Sequence, residues 1–195
     1  MKNKSMFLLI IVLSLMFSGV HVLQAESTPA KGDPFPEITL PVPANPSERE
    51  YLGVTGEGSF RISQIKADLV ILEIFSMYCP YCQKEALNVD ELYNLIDKRP
   101  DLKNRIKIIG VGAGNTTSEV DTFRKRYDIR FPLFSDESFT VHEAVGEVRT
   151  PYFFVLKMTP HGSNKVVYSR VGSVQDPGRF LDTILKESGI KQVGL

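Results

Sequence analysis

The chain has 195 residues with 23 basic and 23 acidic side chains, so its formal net charge is zero, and neither a basic run nor aromatic-basic interleaving breaks that balance. This excludes a nucleic-acid surface of the ordinary electrostatic kind. With the first 25 or so residues set aside, roughly 170 remain, enough for one domain with a full hydrophobic core and too few for a second.

At the N-terminus Lys2 and Lys4 precede an apolar run from Met6 to Phe17, then Ser18-Gly19 and a candidate cut after Ala25. That layout predicts a secretory signal peptide over residues 1–25, with an uncleaved membrane anchor as the alternative. No cysteine lies near the cut, which excludes a lipoprotein anchor. On either reading the folded part is exported, to a periplasmic or extracytoplasmic location. Residues 26–50 form a Pro-rich segment, with Pro29, Pro34, Pro36, Pro41, Pro43 and Pro46. It is predicted to be extended, with at most a short edge strand around Ile38 to Leu40, and serves either as a leader or as a docked edge.

The domain itself is expected over 51–195. Gly53, Gly56 and Gly58 punctuate a turn-rich stretch, and Ser59-Phe60-Arg61-Ile62 alternates like a short strand. Leu69 to Phe75 is a β-branched apolar run suited to a strand buried on both faces. It runs directly into Cys79-Pro80-Tyr81-Cys82, after which Ala86, Val89, Leu92, Tyr93 and Ile96 recur at helical spacing to about Lys98. Arg105 to Val111 reads as a second buried strand, followed by the turn Gly112-Ala113-Gly114-Asn115. Thr116-Thr117-Ser118-Glu119 has capping-box spacing, and Val120, Phe123 and Tyr127 give the helix that follows one apolar face. A short strand after Phe131-Pro132, a short helix over 138–145, and strands at Tyr152–Leu156 and Val166–Val171 come next. The last two strands are close enough to pair as an antiparallel hairpin across the His161–Asn164 turn. A helix from Pro177 to about Lys186 stops at Gly189.

The two cysteines are the only ones in the chain. Exported proteins that use disulfides as scaffolds need more bridges at wider spacings, so a lone C-x-x-C points to reaction rather than bracing. Pro80 suits the first helical position, which places both cysteines on the first turn. Cys79 then sits where unpaired N–H groups and the positive end of the helix dipole stabilise a thiolate. It is the expected nucleophile, and Cys82, at i+3, resolves the mixed disulfide. Glu73 lies inside the buried strand, where desolvation raises a carboxyl pKa and readies it to accept the proton Cys82 must lose; a partly solvated strand carboxylate is the plainer alternative.

The element order, with C-x-x-C opening the first helix and Thr150-Pro151 just before a later strand, resembles the thioredoxin fold from Gly32 to about Gly189. More narrowly the chain resembles exported TlpA/ResA-type thiol-disulfide oxidoreductases of the redoxin (AhpC/TSA) superfamily. Its opening segment Gly32-Asp-Pro-Phe-Pro-Glu-Ile-Thr-Leu40 is similar to theirs, and Ile108 to Gly114 with the helix beyond matches their insertion. The implied architecture is α/β: a central mixed sheet flanked by helices, with an N-terminal extension and an inserted strand-helix unit. The resemblance also implies that Pro151 is cis beside the cysteine pair, with Thr150 offering its N–H and C=O to a substrate strand. Pro80 and Tyr81 complete the substrate-binding set. Glu85 matches the Glu of a C-x-x-C-x-x-E pattern near the site, against the alternative of a surface helix carboxylate.

The approach Glu73-Ile-Phe-Ser-Met-Tyr-Cys79 lacks the tryptophan common in thioredoxins and is similar to DsbA-like oxidases, while Pro80-Tyr81 is the glutaredoxin dipeptide. Because the TlpA/ResA-like frame spans the whole chain while the oxidase-like approach is local, the expected function is reduction of disulfides in exported proteins, for example in cytochrome c maturation, with a DsbA-like thiol oxidase as the alternative. A thiol peroxidase is disfavoured because Leu72 stands where the P-x-x-x-T/S-x-x-C motif has its proline, although Ser76 fits. A Sco-like copper carrier is disfavoured because the cysteine spacing is one short and His142 and His161 offer no clear third ligand. The expectation is a monomer without metal or cofactor, recharged by a membrane thiol-disulfide electron relay.

Overall fold

The computed structural model describes residues 27–159 and 164–190. The expected signal peptide at 1–25 and the His161-Gly162-Ser163 part of the hairpin turn lie outside the described residues. In chain order the elements are β1 (Thr39–Pro41), α1 (Pro46–Leu52), β2 (Ser59–Arg61), β3 (Leu69–Phe75), α2 (Pro80–Asp97), β4 (Ile106–Ala113), α3 (Thr117–Tyr127), β5 (Leu133–Asp136), α4 (Thr140–Ala144), β6 (Tyr152–Lys157), β7 (Lys165–Val171) and α5 (Pro177–Ser188). The main sheet has the order β5-β4-β3-β6-β7. β3, β4 and β5 run parallel, and β6 and β7 are antiparallel to their neighbours, giving the mixed sheet of a thioredoxin-like fold.

β3 lies at the centre, and all seven of its residues are buried. The period-2 alternation of a strand splits them between two cores. Leu69, Ile71 and Phe75 pack with α2, α3 and α5, whereas Val70, Leu72 and Ile74 pack with α1, α4 and the antiparallel β1-β2 pair. Glu73 shares the parity of Ile71 and Phe75, so the strand itself turns the carboxyl toward α2 and the cysteines. On α2 the buried residues Cys82, Glu85, Ala86, Val89, Leu92 and Ile96 keep helical spacing and form the face that meets the sheet.

Part of each sheet edge is capped. Along β7, Gly32 N–H donates to Val166 O (2.8 Å), Val166 N–H to Asp33 O (3.0 Å) and Phe35 N–H to Asn164 O (2.9 Å). Phe35, Ile38 and Leu40 are buried, so of the two readings of the Pro-rich segment the docked edge is the one seen. Along β5, the Arg124 guanidinium donates to Phe131 O (3.1 Å) and Leu133 O (3.3 Å) and pairs with Glu48 of α1 (2.6 Å). Edge groups capped in this way are unavailable to another chain.

The sequence reading missed α1. Its signals are present: the Asn45 side chain accepts from Ser47 N–H (3.0 Å), Pro46 opens the helix, and Gly53 ends it at φ 68°. The density of prolines obscured them. Tyr51 of α1 accepts the Ile108 N–H (2.7 Å), satisfying a β4 amide before β5 pairing begins at Gly110. β4 also runs two residues further than expected, through Gly112 and Ala113, so the turn narrows to Gly114-Asn115. Among the described residues no helix is long and apolar enough to cross a membrane.

Candidate active site

The site forms where β3 ends. Cys79 is the N-cap of α2 with extended backbone (φ −80°, ψ 115°), and Pro80 occupies the first helical position. Its N–H donates to Ser76 O (3.0 Å), and its carbonyl accepts the Gln83 N–H (3.1 Å). The thiol is half-buried and donates to Thr150 O (3.4 Å) across the sheet. Thr150-Pro151 is a cis peptide, with Pro151 buried and the Thr150 carbonyl facing Cys79. Pro80 and Tyr81 are exposed on the rim.

The two thiols sit in opposed electrostatic settings. Burial pushes the Cys79 thiol up, but hydrogen bonds from the Thr150 side chain and the backbone N–H groups of Cys82 and Tyr81 outweigh it and hold the thiol below its ordinary value. Burial drives the Cys82 thiol well above its ordinary range, against a backbone hydrogen bond from Ser76 and with the Glu73 charge adding to the rise. Glu73 is itself pushed up to about 8 by burial first, then by the charges of Glu85 and Cys79. One thiol is thus prepared to ionise and attack, and the other keeps its proton until it must act.

Glu85 is buried on the α2 face that carries Cys82, not on the surface. Its carboxylate accepts the Val174 N–H (2.6 Å), the Ser173 hydroxyl and the Asn88 side-chain amide (3.2 Å). Those bonds tie α2 to the β7–α5 loop. Gly172 of that loop donates its N–H to Pro151 O (2.9 Å), so the loop and the cis-proline turn form one surface. Glu85 therefore reaches the site through Ser173 and Val174 and through its charge on Glu73, while its own oxygens are occupied.

Three contacts escaped the sequence reading. The Asn115 Oδ1 accepts the Met77 N–H (2.8 Å), and the Gln83 Nε2 donates to Met77 O (2.9 Å), so side chains clamp both polar groups of the residue two before Cys79. The Tyr78 hydroxyl donates to Glu119, the same carboxylate that closes the Thr116 capping box of α3. Asn115 follows the last glycine of a parallel-strand turn, at the carboxyl end of the strands where open α/β sheets gather their sites. That position was its available signal. His142, weighed as a metal ligand, has its Nε2 at 2.8 Å from the Val148 carbonyl.

Comparison with known proteins agrees with this geometry. The family model of the AhpC/TSA family matches residues 31–169. The thiol-disulfide oxidoreductase ResA of Halalkalibacterium halodurans is 25% identical over 130 residues, covering 67% of this chain and 70% of that protein. Among solved structures, a Chlorobium tepidum protein assigned to the DsbE thiol:disulfide interchange type superposes with a TM-score of 0.61 at 18% identity, over 83% of this chain and 99% of the other. StoA from Bacillus subtilis gives 0.52 at 17% identity, over 65% and 89%. The chain belongs to the AhpC/TSA family and is, within it, a thiol-disulfide oxidoreductase of the TlpA/ResA-like kind.

Proposed function

We propose that this protein works outside the cytoplasm, reducing disulfides of exported proteins through the Cys79–Cys82 pair, with the cysteines matured in cytochrome c assembly as one candidate substrate class. The observation that carries the reading is the opposed state of the two thiols, Cys79 held low at a helix N-cap beside Thr150 and Cys82 buried and held high. The Cys79 thiolate attacks one sulfur of the substrate disulfide, forming a Cys79–substrate bond and expelling the other substrate sulfur as a thiolate. Formation of that bond removes the Cys79 charge that helps hold Glu73 protonated, so Glu73 loses its proton to water, and the carboxylate so formed accepts the Cys82 proton. The Cys82 thiolate then attacks Cys79, releasing the second substrate thiolate. The substrate gains two electrons, and the protein is left as the Cys79–Cys82 disulfide. Thr150 and Pro151 hold the substrate strand, and Pro80 and Tyr81 border it. A membrane thiol-disulfide relay restores the dithiol, and export rests on the Lys2/Lys4 and Met6–Phe17 pattern.

A second reading has a specific observation in its favour. A thiolate stabilised at Cys79 favours the reduced form and so makes the pair more oxidising, as a DsbA-like thiol oxidase requires. The equilibrium reduction potential of the pair separates the two. A value near about −270 mV supports the reductase, and a value near about −120 mV overturns it for the oxidase.

A further inference from the structure

Among the described residues the large apolar side chains left exposed are Tyr78, Tyr81, Leu87, Phe139 and Val171. Tyr78 and Tyr81 flank Cys79 in sequence, and Val171 pairs with Tyr152, the residue after Pro151. Phe139 comes from the β5–α4 corner, which no motif links to the cysteines, yet the residue is 45% exposed.

Separate features fix that ring in place. The Phe139 backbone is left-handed (φ 60°, ψ 17°), a conformation that bulky residues avoid. Asp136 secures the corner: its carboxylate accepts the Val141 N–H (3.1 Å) and His142 N–H (2.9 Å), and its carbonyl accepts the Phe139 N–H (3.1 Å). The ring lies on Gly114, itself at φ 65°, where any Cβ would collide with it. Gly114 leads into Asn115, which holds the Met77 N–H, and then into the Thr116–Glu119 capping box, which holds the Tyr78 hydroxyl. Phe139 and Tyr78 are therefore anchored to the same strand-to-helix turn, and Tyr78 adjoins Cys79.

We propose that Phe139 and Tyr78 form an aromatic shelf that carries the substrate-contact surface from Cys79 across the Gly114–Asn115 turn, so that the protein prefers disulfides whose flanking chain bears an aromatic or large apolar side chain. The inference rests on the thiol-disulfide reading. A mixed disulfide at Cys79 lays the substrate chain over the surroundings of that sulfur, so the exposed Tyr78 beside it is covered during each exchange, and a chain that continues over the Gly114–Asn115 turn meets Phe139. A half-exposed phenylalanine in left-handed backbone contributes little to the core in return for its strain. Contact with the substrate chain gives it a purpose.

The test uses the reduced wild-type protein and Phe139→Gly, a substitution that removes the ring where glycine adopts the backbone freely. Rates of exchange are measured with two peptides, each closed by one internal disulfide and carrying Phe or Ser two residues from a cysteine, and with bis(2-hydroxyethyl) disulfide, which is too small to reach the shelf. Wild type is expected to react about tenfold faster with the Phe peptide than with the Ser peptide, the factor one added aromatic contact supplies, and Phe139→Gly to bring that ratio near one. Tyr78→Phe, which keeps the ring but releases it from Glu119, is expected to reduce the ratio part of the way. A ratio that is unchanged in Phe139→Gly overturns the shelf, as does a proportionate loss with all three disulfides. If wild type reacts with none of them, the thiol-disulfide reading itself fails and this inference with it.

Discussion

Glu73 offers the sharpest physical test. Below about pH 4 its carboxyl is protonated in both folded and unfolded chains, and the position does not discriminate between them. As pH rises, the unfolded carboxyl ionises near 4.5 while the buried one keeps its proton to about 8. Across that window the folded state binds more protons, so stability falls as pH rises. The loss amounts to roughly 1 kcal/mol at pH 5, 3 at pH 7 and 5 at pH 9. Glu73→Gln has nearly the shape of the neutral acid but no proton to lose, so this slope disappears. Urea unfolding of the dithiol form of both proteins at about pH 5, 7 and 9 measures the difference. The variant's advantage is expected to widen by about 4 kcal/mol over that range, whatever constant offset the carboxamide introduces. Parallel stability curves would refute the account, because they would mean that Glu73 titrates alike in the folded and unfolded chains.

Two further substitutions probe the supports of the site. Glu85→Ala leaves the Val174 N–H and Ser173 hydroxyl without their acceptor, and a loss of about 2–4 kcal/mol is expected from urea midpoints. The same change removes a charge that raises Glu73, so the Glu73 carboxyl, followed by NMR, is expected to titrate lower; an unmoved titration would count against the coupling. Asn115→Ala frees the Met77 N–H at a cost of about 1 kcal/mol, reduced because the buried Nδ2 it also removes has no hydrogen-bond partner among the described residues. Amide exchange at Met77 is expected to accelerate, and unchanged protection would show that Gln83 alone holds the loop.

The sequence by itself determined the features whose causes are local. Leu69–Phe75 had to be a central strand because seven successive residues avoid exposure on either face, with Glu73 the one polar exception. Cys79-Pro80-Tyr81-Cys82 had to open a helix because Pro80 tolerates only that end of it, and the Thr116–Glu119 box marked the next helix start in the same way. For Glu85 the sequence left the site and the surface both open, and only the packed structure buried it on the α2 stripe. Tertiary structure decided whatever joins groups distant in the chain and leaves no period behind. Glu85 meets Ser173 and Val174, Asn115 meets Met77, Tyr78 meets Glu119, and Arg124 at the β5 edge meets Glu48. Each of these joins one polar group to one polar partner, and many side chains in a sequence could fill either role. Only the packed sheet brings a particular pair within hydrogen-bonding distance and excludes the water that would otherwise satisfy both.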